Sequence, residues 1–240
     1  MNEENFHRLL HRPGTLVDIG AHDGLLTIPL ARLPDSRVLA FEPLPSAYAR
    51  LQAALGSDHA HVTCHHMALG DHAGSITLAM PVLDGVAQEQ WASTAKDYAT
   101  HLSARVAVER FTVPLRRLDD FTLADATAIK LDAEGAEYEI LRGARETLLR
   151  CRPVLTLELE ERHRLGSTYA VPAYLDALGY DVFFELRDGW YPMAALDRAT
   201  MQRASPDPSV FEASDPYVFV FYALPREDSA AMLETLRRAG

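Results

Sequence analysis

Cysteine is nearly absent from this sequence, which has only Cys64 and Cys151 among its 240 residues. The two lie far apart and form no CxxC pair. A disulfide framework or a structural zinc site would need numerous or closely spaced cysteines, so neither is expected. We predict that both cysteines are reduced and lie in the core.

Long apolar runs and positive charge are also scarce. No stretch approaches the roughly 18 consecutive apolar residues of a membrane span, and the N-terminus has no apolar signal region. The sequence therefore predicts a cytoplasmic protein without a membrane partner. A net charge of −11, from 23 basic and 34 acidic residues, argues against a nucleic-acid partner, which would require a basic face. A composition of 48% hydrophobic and 24% charged residues predicts one domain over residues 1–240.

The stretch from Thr15 to Gly24 carries the clearest signal for a ligand. An apolar run typical of a buried parallel strand is interrupted by Asp18 and leads directly into Gly20. Two glycines at the turn remove Cβ atoms, so that a ligand can lie against the backbone. The middle glycine of the dinucleotide pattern GxGxxG is missing, which disfavours a nicotinamide-dependent oxidoreductase. A tight turn without a ligand would explain the glycines but not the acid inside the strand.

Strand and helix signals alternate along the chain. Strands are predicted at Leu16–Ile19, Arg37–Glu42, Val62–Met67, Ser75–Met80, Phe111–Leu115, Ala128–Asp132, Val154–Glu160, Asp181–Leu186 and Tyr217–Ala223. Helices are predicted from Leu25 to Leu33 with a bend at Pro29, from Pro45 to Leu55, at Glu134–Arg150, at Tyr169–Leu178 and at the C-terminus. Residues 82–107 show no sustained period and are interpreted as a cap or lid over the site.

Acidic residues and one lysine fall at the ends of the predicted strands. The carboxyl ends of parallel strands share one crevice, which should bring together Asp18, Lys130, Asp132, Glu158 and Glu160. Glu42 ends the second strand, where nucleotide-binding α/β folds place a carboxylate that accepts hydrogen bonds from ribose hydroxyls. A solvated acid before a proline turn is the alternative interpretation of Glu42.

Lys130 and Asp132 each have more than one interpretation. A buried lysine needs a paired carboxylate, so we favour an ion pair of Lys130 with Glu158 or Asp18 over a catalytic lysine. Asp132 could orient a substrate hydroxyl and take its proton, or cap the following helix. It could also ligate a divalent cation such as magnesium, together with Glu158 or Glu160.

Histidine and hydroxyl side chains add further candidates. His22 in the glycine loop is a candidate ligand contact, and His163 after the fifth strand of the crevice is a candidate base. Ser93, in the irregular segment, could donate a hydrogen bond to a ligand carboxylate or be an ordinary polar loop residue. The histidines between residues 59 and 66 have no metal-ligand spacing and are interpreted as solvated or hydrogen-bonded side chains.

Four short motifs occur in a fixed order between the first strand and the last acid of the crevice. They are Val17-Asp-Ile-Gly-Ala-His-Asp-Gly24, Glu42-Pro43, Ala68-Leu-Gly-Asp71 and Lys130-Leu-Asp-Ala-Glu-Gly-Ala-Glu137, the last continuing to Leu141-Arg-Gly-Ala144. Together they resemble the FkbM-type family of class I methyltransferases, in which Asn usually stands at the position of His22. The resemblance implies a Rossmann-like α/β fold, with a mostly parallel seven-stranded sheet, helices on both faces and an antiparallel last strand.

The resemblance also implies that S-adenosylmethionine is the cofactor and methyl donor. Asp18, Gly20 and Gly24 would hold its methionine half. The remaining cofactor contacts would come from Glu42 and Pro43 at the ribose, Ala68 and Leu69 at the adenine, and His22 and Ser93.

The implied reaction is methyl transfer to a hydroxyl of a small metabolite, sugar or natural product. Removal of the hydroxyl proton is one demand, for which Asp132, Glu160 and His163 are the candidates in that order. A metal-assisted version would use Asp132 with Glu158 or Glu160 as oxygen ligands. An N-methyltransferase and a non-catalytic S-adenosylmethionine-binding partner subunit are the alternatives. The expected partner is a small-molecule acceptor, and a homodimer is compatible with the sequence.

Overall fold

The computed structural model describes residues 1–56, 59–83, 85–88, 92, 106–187, 189–202 and 216–239. Its strands are β1 Gly14–Ile19, β2 Ser36–Phe41, β3 Val62–His65, β4 Ala68–Leu69, β5 Gly74–Leu83, β6 Val86–Ala87, β7 Val106–Arg116, β8 Ala126–Leu131, β9 Val154–Glu158, β10 Tyr180–Leu186, β11 Gly189–Pro192 and β12 Val220–Pro225. Its helices are α1 Glu3–Leu9, α2 Thr27–Ala31, α3 Pro45–Leu55, α4 Glu137–Gly143, α5 Arg145–Cys151, α6 Ser167–Ala177, α7 Arg198–Met201 and α8 Ser229–Ala239.

The larger sheet has the strand order β11-β10-β12-β9-β8-β1-β2-β3. The strands from β9 to β3 are parallel, and β12 runs antiparallel between β9 and β10. This confirms the predicted Rossmann-like class I arrangement with its antiparallel last strand. The predicted count of seven is one too low for the described ranges, because β11 forms an antiparallel hairpin with β10. β11 begins with Gly189 and ends with Pro192, residues that are depleted in strands, so no strand was predicted there.

Alternating side chains along the strands build a core on each face of this sheet. On one face, residues such as Val17 and Leu155 pack against α4, α5 and α6. On the opposite face, residues such as Leu16 and Val154 pack against α1, α2 and α8. Successive strand residues point to opposite faces, so a sequence with apolar residues at consecutive positions supports both layers. Helices therefore cover both faces, as predicted.

A smaller sheet of order β4-β7-β5-β6 packs against the larger sheet and its helices. Leu69 of β4 belongs to the apolar cluster that contains Val17 of β1. β5 and β7 pair antiparallel along their length, and the predicted strands Ser75–Met80 and Phe111–Leu115 lie within them. The predicted cap includes the end of β5, β6 and the start of β7, but for the most part it falls on residues outside the described ranges.

The predicted helix Glu134–Arg150 is instead two helices, α4 and α5. Gly143, at the end of α4, lies so close to the turn after β4 that a Cβ on it would be 1.9 Å from the carbonyl oxygen of Gly70. Arg142 also pairs with Asp71 in that turn, with 3.1 Å between Nη1 and Oδ2. The break thus lies where two of the four motifs pack together, and helical periodicity carries no information about that contact.

Prolines are accommodated in two helices for different reasons. Pro29 was expected to bend a helix from Leu25 to Leu33. However, α2 starts at Thr27, so this proline lies in the first turn, where backbone N–H groups have no intrahelical partner. Pro172 lies within α6 and cannot donate to the carbonyl of Thr168. Arg198 donates to that oxygen instead, at 2.7 Å.

Two expectations from the composition concern the cysteines and membrane-spanning helices. Cys64 and Cys151 are free thiols, as predicted, but they are half-buried rather than core residues. Within the ranges given above, no helix combines the length and the apolar character needed to cross a membrane.

Candidate active site

A cavity of about 730 Å³ opens at the carboxyl ends of β1, β2, β8 and β9. Most of the residues singled out from the sequence line it: Asp18, Gly20, His22, Glu42, Pro43, Ala68, Leu69, Asp132, Glu158 and Glu160. Gly24 and His163 lie outside this lining. Ser93 lies outside the described residues. The cavity is therefore the shared crevice that strand alternation predicted.

The turn after β1 depends on two missing side chains. Gly20 has φ +76°, and a Cβ on it would lie 1.9 Å from the carbonyl oxygen of Asp132. Glycine at this position therefore lets β1 and β8 end side by side. Gly24 has φ +90° and lets the loop pack against Leu51 of α3. His22 has φ +50°, a left-handed conformation in which Asn and His are both enriched, so His can replace the usual Asn there.

Glu42 holds this turn from the end of β2. Its Oε2 accepts the backbone N–H of His22 and its Oε1 accepts that of Leu44, both at 2.8 Å. The residue is only 4% exposed. Burial raises the pKa of Glu42, although the two N–H groups oppose this. A carboxylate has about four acceptor positions, so about two remain for hydroxyl groups of a ligand.

Lys130 forms the predicted ion pair with Asp18. Its Nζ lies 3.6 Å from Asp18 Oδ1 and 3.7 Å from Asp132 Oδ2, and it donates to the carbonyl oxygen of Gly20 at 2.7 Å. Burial alone would lower the pKa of Lys130, but Asp18 and Asp132 raise it above its usual range. The lysine is therefore a buried cation that ties the ends of β1 and β8 together.

Asp132 is not the cap of the following helix. α4 begins at Glu137, and its N-cap residue Ala136 makes no side-chain cap hydrogen bond. The loop between β8 and α4 is held instead by Glu137, whose Oε1 accepts the N–H groups of Ala133 and Gly135, both at 3.0 Å. Burial raises the pKa of Glu137 to about 7. The Asp132 side chain remains 29% exposed and lines the cavity.

Glu160 is enclosed by side chains that donate to it. Arg162 donates to both carboxylate oxygens, at 2.6 Å from Nε and 2.7 Å from Nη2, and the hydroxyl of Tyr217 also donates to Oε2. His163 Nε2 lies 3.2 Å from Glu160 Oε1 and 3.3 Å from Glu134 Oε2. Burial would raise the pKa of Glu160, but Arg162, His163 and Tyr217 together hold it below its usual value. Glu160 is thus a weak base that fixes the positions of its neighbours.

Sequence reasoning missed several residues that line the cavity. Arg162 and Tyr217 lie there with Glu160, and Glu3 reaches the cavity from α1. A basic residue two positions after a candidate acid was an available signal for Arg162. Tyr217 and Glu3 had no local signal, because both lie far along the chain from the acids at the strand ends.

The part of the cavity opposite Glu160 and Arg162 is apolar. Phe41, Leu44, Met67, Leu69, Leu78, Ala92, Ala136 and Ile140 contribute to its lining. These residues come from both sheets, so the smaller sheet forms part of the wall, through Leu69 of β4 and Leu78 of β5. A flat, mostly apolar ring system suits such a surface, whereas the charged groups of a ligand would lie at the end near Lys130.

The match to known families agrees with this geometry. The family model of the methyltransferase FkbM domain matches residues 18–182, which is more than half of the chain. The chain belongs to the FkbM methyltransferase family. Its general activity, methyl transfer, follows from that membership.

Two curated relatives of this FkbM-family chain are methyltransferases by name. The chain is 31% identical over 182 residues to 2-O-methyltransferase NoeI of Sinorhizobium fredii, covering 71% of this chain and 73% of the relative. It is 27% identical over 191 residues to Methyltransferase 1 of Beauveria bassiana, covering 74% and 76%.

Solved structures support the fold of this FkbM-family chain. A crystal structure of methyltransferase FkbM from Methylobacillus flagellatus has a TM-score of 0.54 at 18% identity and covers 88% of this chain. The chain spans only 43% of that protein. A Streptococcus mutans protein described as a methyltransferase, in complex with SAH, has a TM-score of 0.50 at 11% identity and covers 92% and 94% of the two chains.

The metal site considered for this FkbM-family chain has no support in the geometry. Among the described residues, no three His, Cys, Asp or Glu side chains are placed to hold a metal ion. Glu160, one of the predicted ligands, is occupied by Arg162 and Tyr217. Three of the histidines between residues 59 and 66 are hydrogen-bonded, which is one of the two interpretations given from the sequence: His61 pairs with the carbonyl of Ala31, His59 with that of Leu55 and His66 with that of Pro43.

Proposed function

We propose that this protein is an S-adenosylmethionine-dependent O-methyltransferase that acts on a hydroxyl of a small molecule. The observation that carries the proposal is Glu42. Its buried carboxylate lies at the end of β2 in the cavity, is fixed by two backbone N–H groups and has acceptor positions left for the two hydroxyls of a ribose. The 31% identity to a relative named as a 2-O-methyltransferase supports oxygen as the methyl acceptor.

The cavity residues fit the chemical parts of S-adenosylmethionine. The apolar end, with Leu44 and Leu69, suits the adenine ring, and Glu42 suits the ribose. At the other end, Asp18 Oδ1 is a buried carboxylate oxygen without a hydrogen-bond partner in the described structure, which suits a cationic donor such as an α-ammonium group. Gly20 lines the cavity and lets β1 end beside β8, next to the proposed ligand.

The bound cofactor supplies a methyl group on a sulfonium, so the protein must align an acceptor oxygen and remove its proton. Asp132 is the proposed base, because its side chain is 29% exposed and lines the cavity, where an acceptor hydroxyl can reach it. Arg162 donates to both oxygens of Glu160, so in this proposal Glu160 holds Arg162 in place and does not take the proton.

The acceptor is proposed to bind at the end of the cavity that Arg162, Tyr217 and Phe219 line. The rings of Tyr217 and Phe219 lie 6.3 Å apart and nearly parallel, at 26°. An aromatic pair beside a fixed guanidinium suits an acceptor with an apolar face and hydroxyl groups.

The first test is calorimetric titration with S-adenosylmethionine and S-adenosylhomocysteine. Glu42→Gln should weaken binding about tenfold to hundredfold, because a charge-assisted contact to the ribose is lost. Glu161→Gln is the matched control: Glu161 is also buried and accepts the N–H of Thr168 at 3.0 Å, but it does not line the cavity. The control should bind both ligands as the wild type does.

The second test locates the methyl group. A screen of hydroxyl-bearing small molecules with ¹³C-methyl-labelled cofactor should yield a product whose methyl carbon has the chemical shift of a methoxy group. A methyl on nitrogen would overturn the assignment of oxygen. Failure of wild-type protein to bind either cofactor form would overturn the proposed cofactor, and binding without transfer to any acceptor would favour a non-catalytic partner subunit.

A further inference from the structure

Glu3 reaches the cavity from a part of the chain that the family match does not cover. The matched segment starts at residue 18, whereas Glu3 lies on α1 and lines the cavity. Two residues of α1 anchor it: Phe6 is fully buried in the apolar cluster under the sheet, and His7 Nε2 lies 3.1 Å from the hydroxyl of Thr156 on β9. The position of Glu3 is therefore set by a packed helix.

Near Lys130, two buried carboxylate oxygens have no hydrogen-bond partner among the described residues. They are Oε1 of Glu3 and Oδ1 of Asp18. Oδ1 of Asp18 lies 3.6 Å from Lys130 Nζ, while Oδ2 of the same residue accepts from Thr27 at 2.6 Å. Buried polar atoms are nearly always hydrogen-bonded, so a donor from a ligand is the natural partner for both oxygens.

The charges around Glu3 favour a cation as that ligand. Lys130 is the cation acting on its carboxyl, together with the negative side chains of Asp18 and Asp132 and the hydroxyl of Thr156. Burial raises the pKa of Glu3. Glu158 is influenced by the same groups, Asp132, Glu3 and Lys130, and by Glu160. Burial and repulsion by the neighbouring acids raise the pKa of Glu158 to about 9.

This surplus of carboxyl groups over cations would be relieved by one positive group in the cavity. A neutral donor could form hydrogen bonds to both oxygens but would not offset the negative charge around them. The methionine half of the proposed cofactor carries an α-ammonium group with three N–H donors, the chemistry that two neighbouring carboxylates would bind.

We infer that Glu3 is a cofactor-binding residue whose carboxylate, beside that of Asp18, accepts a hydrogen bond from the α-ammonium of S-adenosylmethionine. The inference rests on the proposed function and extends it to α1, outside the matched segment. S-Adenosylhomocysteine carries the same ammonium and is stable, so it is the appropriate probe.

The experiment is a double-mutant cycle between protein and ligand. Calorimetry compares S-adenosylhomocysteine with its deamino analogue, which lacks only the α-amino group. Wild-type protein should prefer the natural ligand at least about tenfold, and Glu3→Gln should lose about tenfold of that preference. Glu4→Gln is the matched control, because Glu4 lies on the same turn of α1 but is exposed. The control should keep the full preference.

The outcomes separate this inference from the proposed function. If wild-type protein binds neither ligand, the proposed cofactor is wrong and the role of Glu3 falls with it. If wild-type protein binds S-adenosylhomocysteine but Glu3→Gln retains the full preference, only the role of Glu3 is wrong. Equal weakening of both ligands would also overturn it, since that would indicate a general structural defect. Glu3→Asp, which keeps the charge, should retain part of the preference if the contact is direct.

Discussion

At the end of the cavity next to β2 a carboxylate is held by backbone groups, whereas at the end next to β9 side chains hold one another. Glu42 accepts N–H groups from two positions of the main chain. Glu160 accepts from the guanidinium of Arg162 and the hydroxyl of Tyr217, and His163 lies beside it. Both carboxylates are buried, so both need donors. Only the donors to Glu160 are side chains, so only they depend on the identity of particular residues.

The difference suggests how the two ends respond to substitution. A site made from backbone groups depends on conformation, so it should tolerate new side chains that can adopt the same φ and ψ, as His22 does. A site made from paired side chains should lose its geometry when one partner changes. We expect the β2 end to suit a ligand shared by a whole family and the β9 end to set the choice of acceptor.

Gly20→Ala should have the largest effect, because Gly20 lies where the ends of β1 and β8 meet, between the two ends of the cavity. A Cβ at this position would lie 1.9 Å from the carbonyl oxygen of Asp132, at φ +76°. We expect a loss of at least about 3 kcal/mol in the free energy of unfolding, together with loss of cofactor binding. Urea denaturation and calorimetry measure the two.

Gly166→Ala is the control for the backbone strain alone. Gly166 has φ +84° and nothing within 4 Å of its Cβ position, so the variant should lose only about 1 to 2 kcal/mol and still bind the cofactor. Similar losses in the two variants would contradict the importance of the contact with Asp132.

The pH dependence of stability extends the comparison to a third carboxylate, Glu137. It lies on the β8 side of the cavity and, like Glu42, is held by backbone N–H groups. Its pKa of about 7 in the folded state, against 4.5 in the unfolded chain, corresponds to on the order of 3 kcal/mol. The folded pKa is raised, so this stability is present below about pH 4.5 and is lost as the pH rises through about 7. Glu137→Gln, which keeps an oxygen acceptor, should therefore become more stable relative to the wild type between pH 5 and pH 8 by about that amount.

Urea denaturation at the two pH values tests this expectation. Glu146→Gln, on the exposed face of α5, should stay within about 0.5 kcal/mol of the wild type at both. A stability difference between wild type and Glu137→Gln that does not change with pH would show that Glu137 is not the titrating group.

Asp132→Asn tests whether the chemistry lies at the β8 and β9 side of the cavity. With an identified acceptor, kcat should fall about hundredfold or more, equivalent to about 2.7 kcal/mol, because an amide cannot take the hydroxyl proton. The affinity for S-adenosylhomocysteine should remain within about threefold of the wild type. A variant with full kcat would show that another group, or water, takes the proton.

Arg162→Lys should have the smallest effect and is the most selective test of the β9 end. Lysine cannot reproduce the two parallel N–H bonds to Glu160, so the KM for the acceptor should rise about tenfold or less while cofactor affinity stays unchanged. Arg164→Lys is the matched control, because Arg164 pairs with Glu139 and does not line the cavity. Equal effects on acceptor and cofactor would contradict separate roles for the two ends.

Sequence reasoning reached the β2 end of the site more fully than the β9 end. Gly20, His22 and Glu42 could be found because strand, turn and next strand follow one another within a short segment, and their functions depend on local conformation. At the other end, Asp132, Glu160 and His163 were found, but Arg162 and Tyr217, which donate to Glu160, were not. The pairing of Tyr217 with Glu160 joins positions 57 residues apart, and no local pattern indicates it.

The antiparallel last strand was implied by the family resemblance. The order of strands and helices, the glycine turn and the acids at the strand ends follow from the sequence by itself. They follow because periodicity, glycine positions and charges inside apolar runs are local properties of the chain. Tertiary structure decided the split between α4 and α5, the contribution of β4 and β5 to the wall of the cavity, and the entry of Glu3 and Tyr217 into the site. Each of these depends on contacts between distant segments, whose geometry is set only when both faces of the sheet are packed.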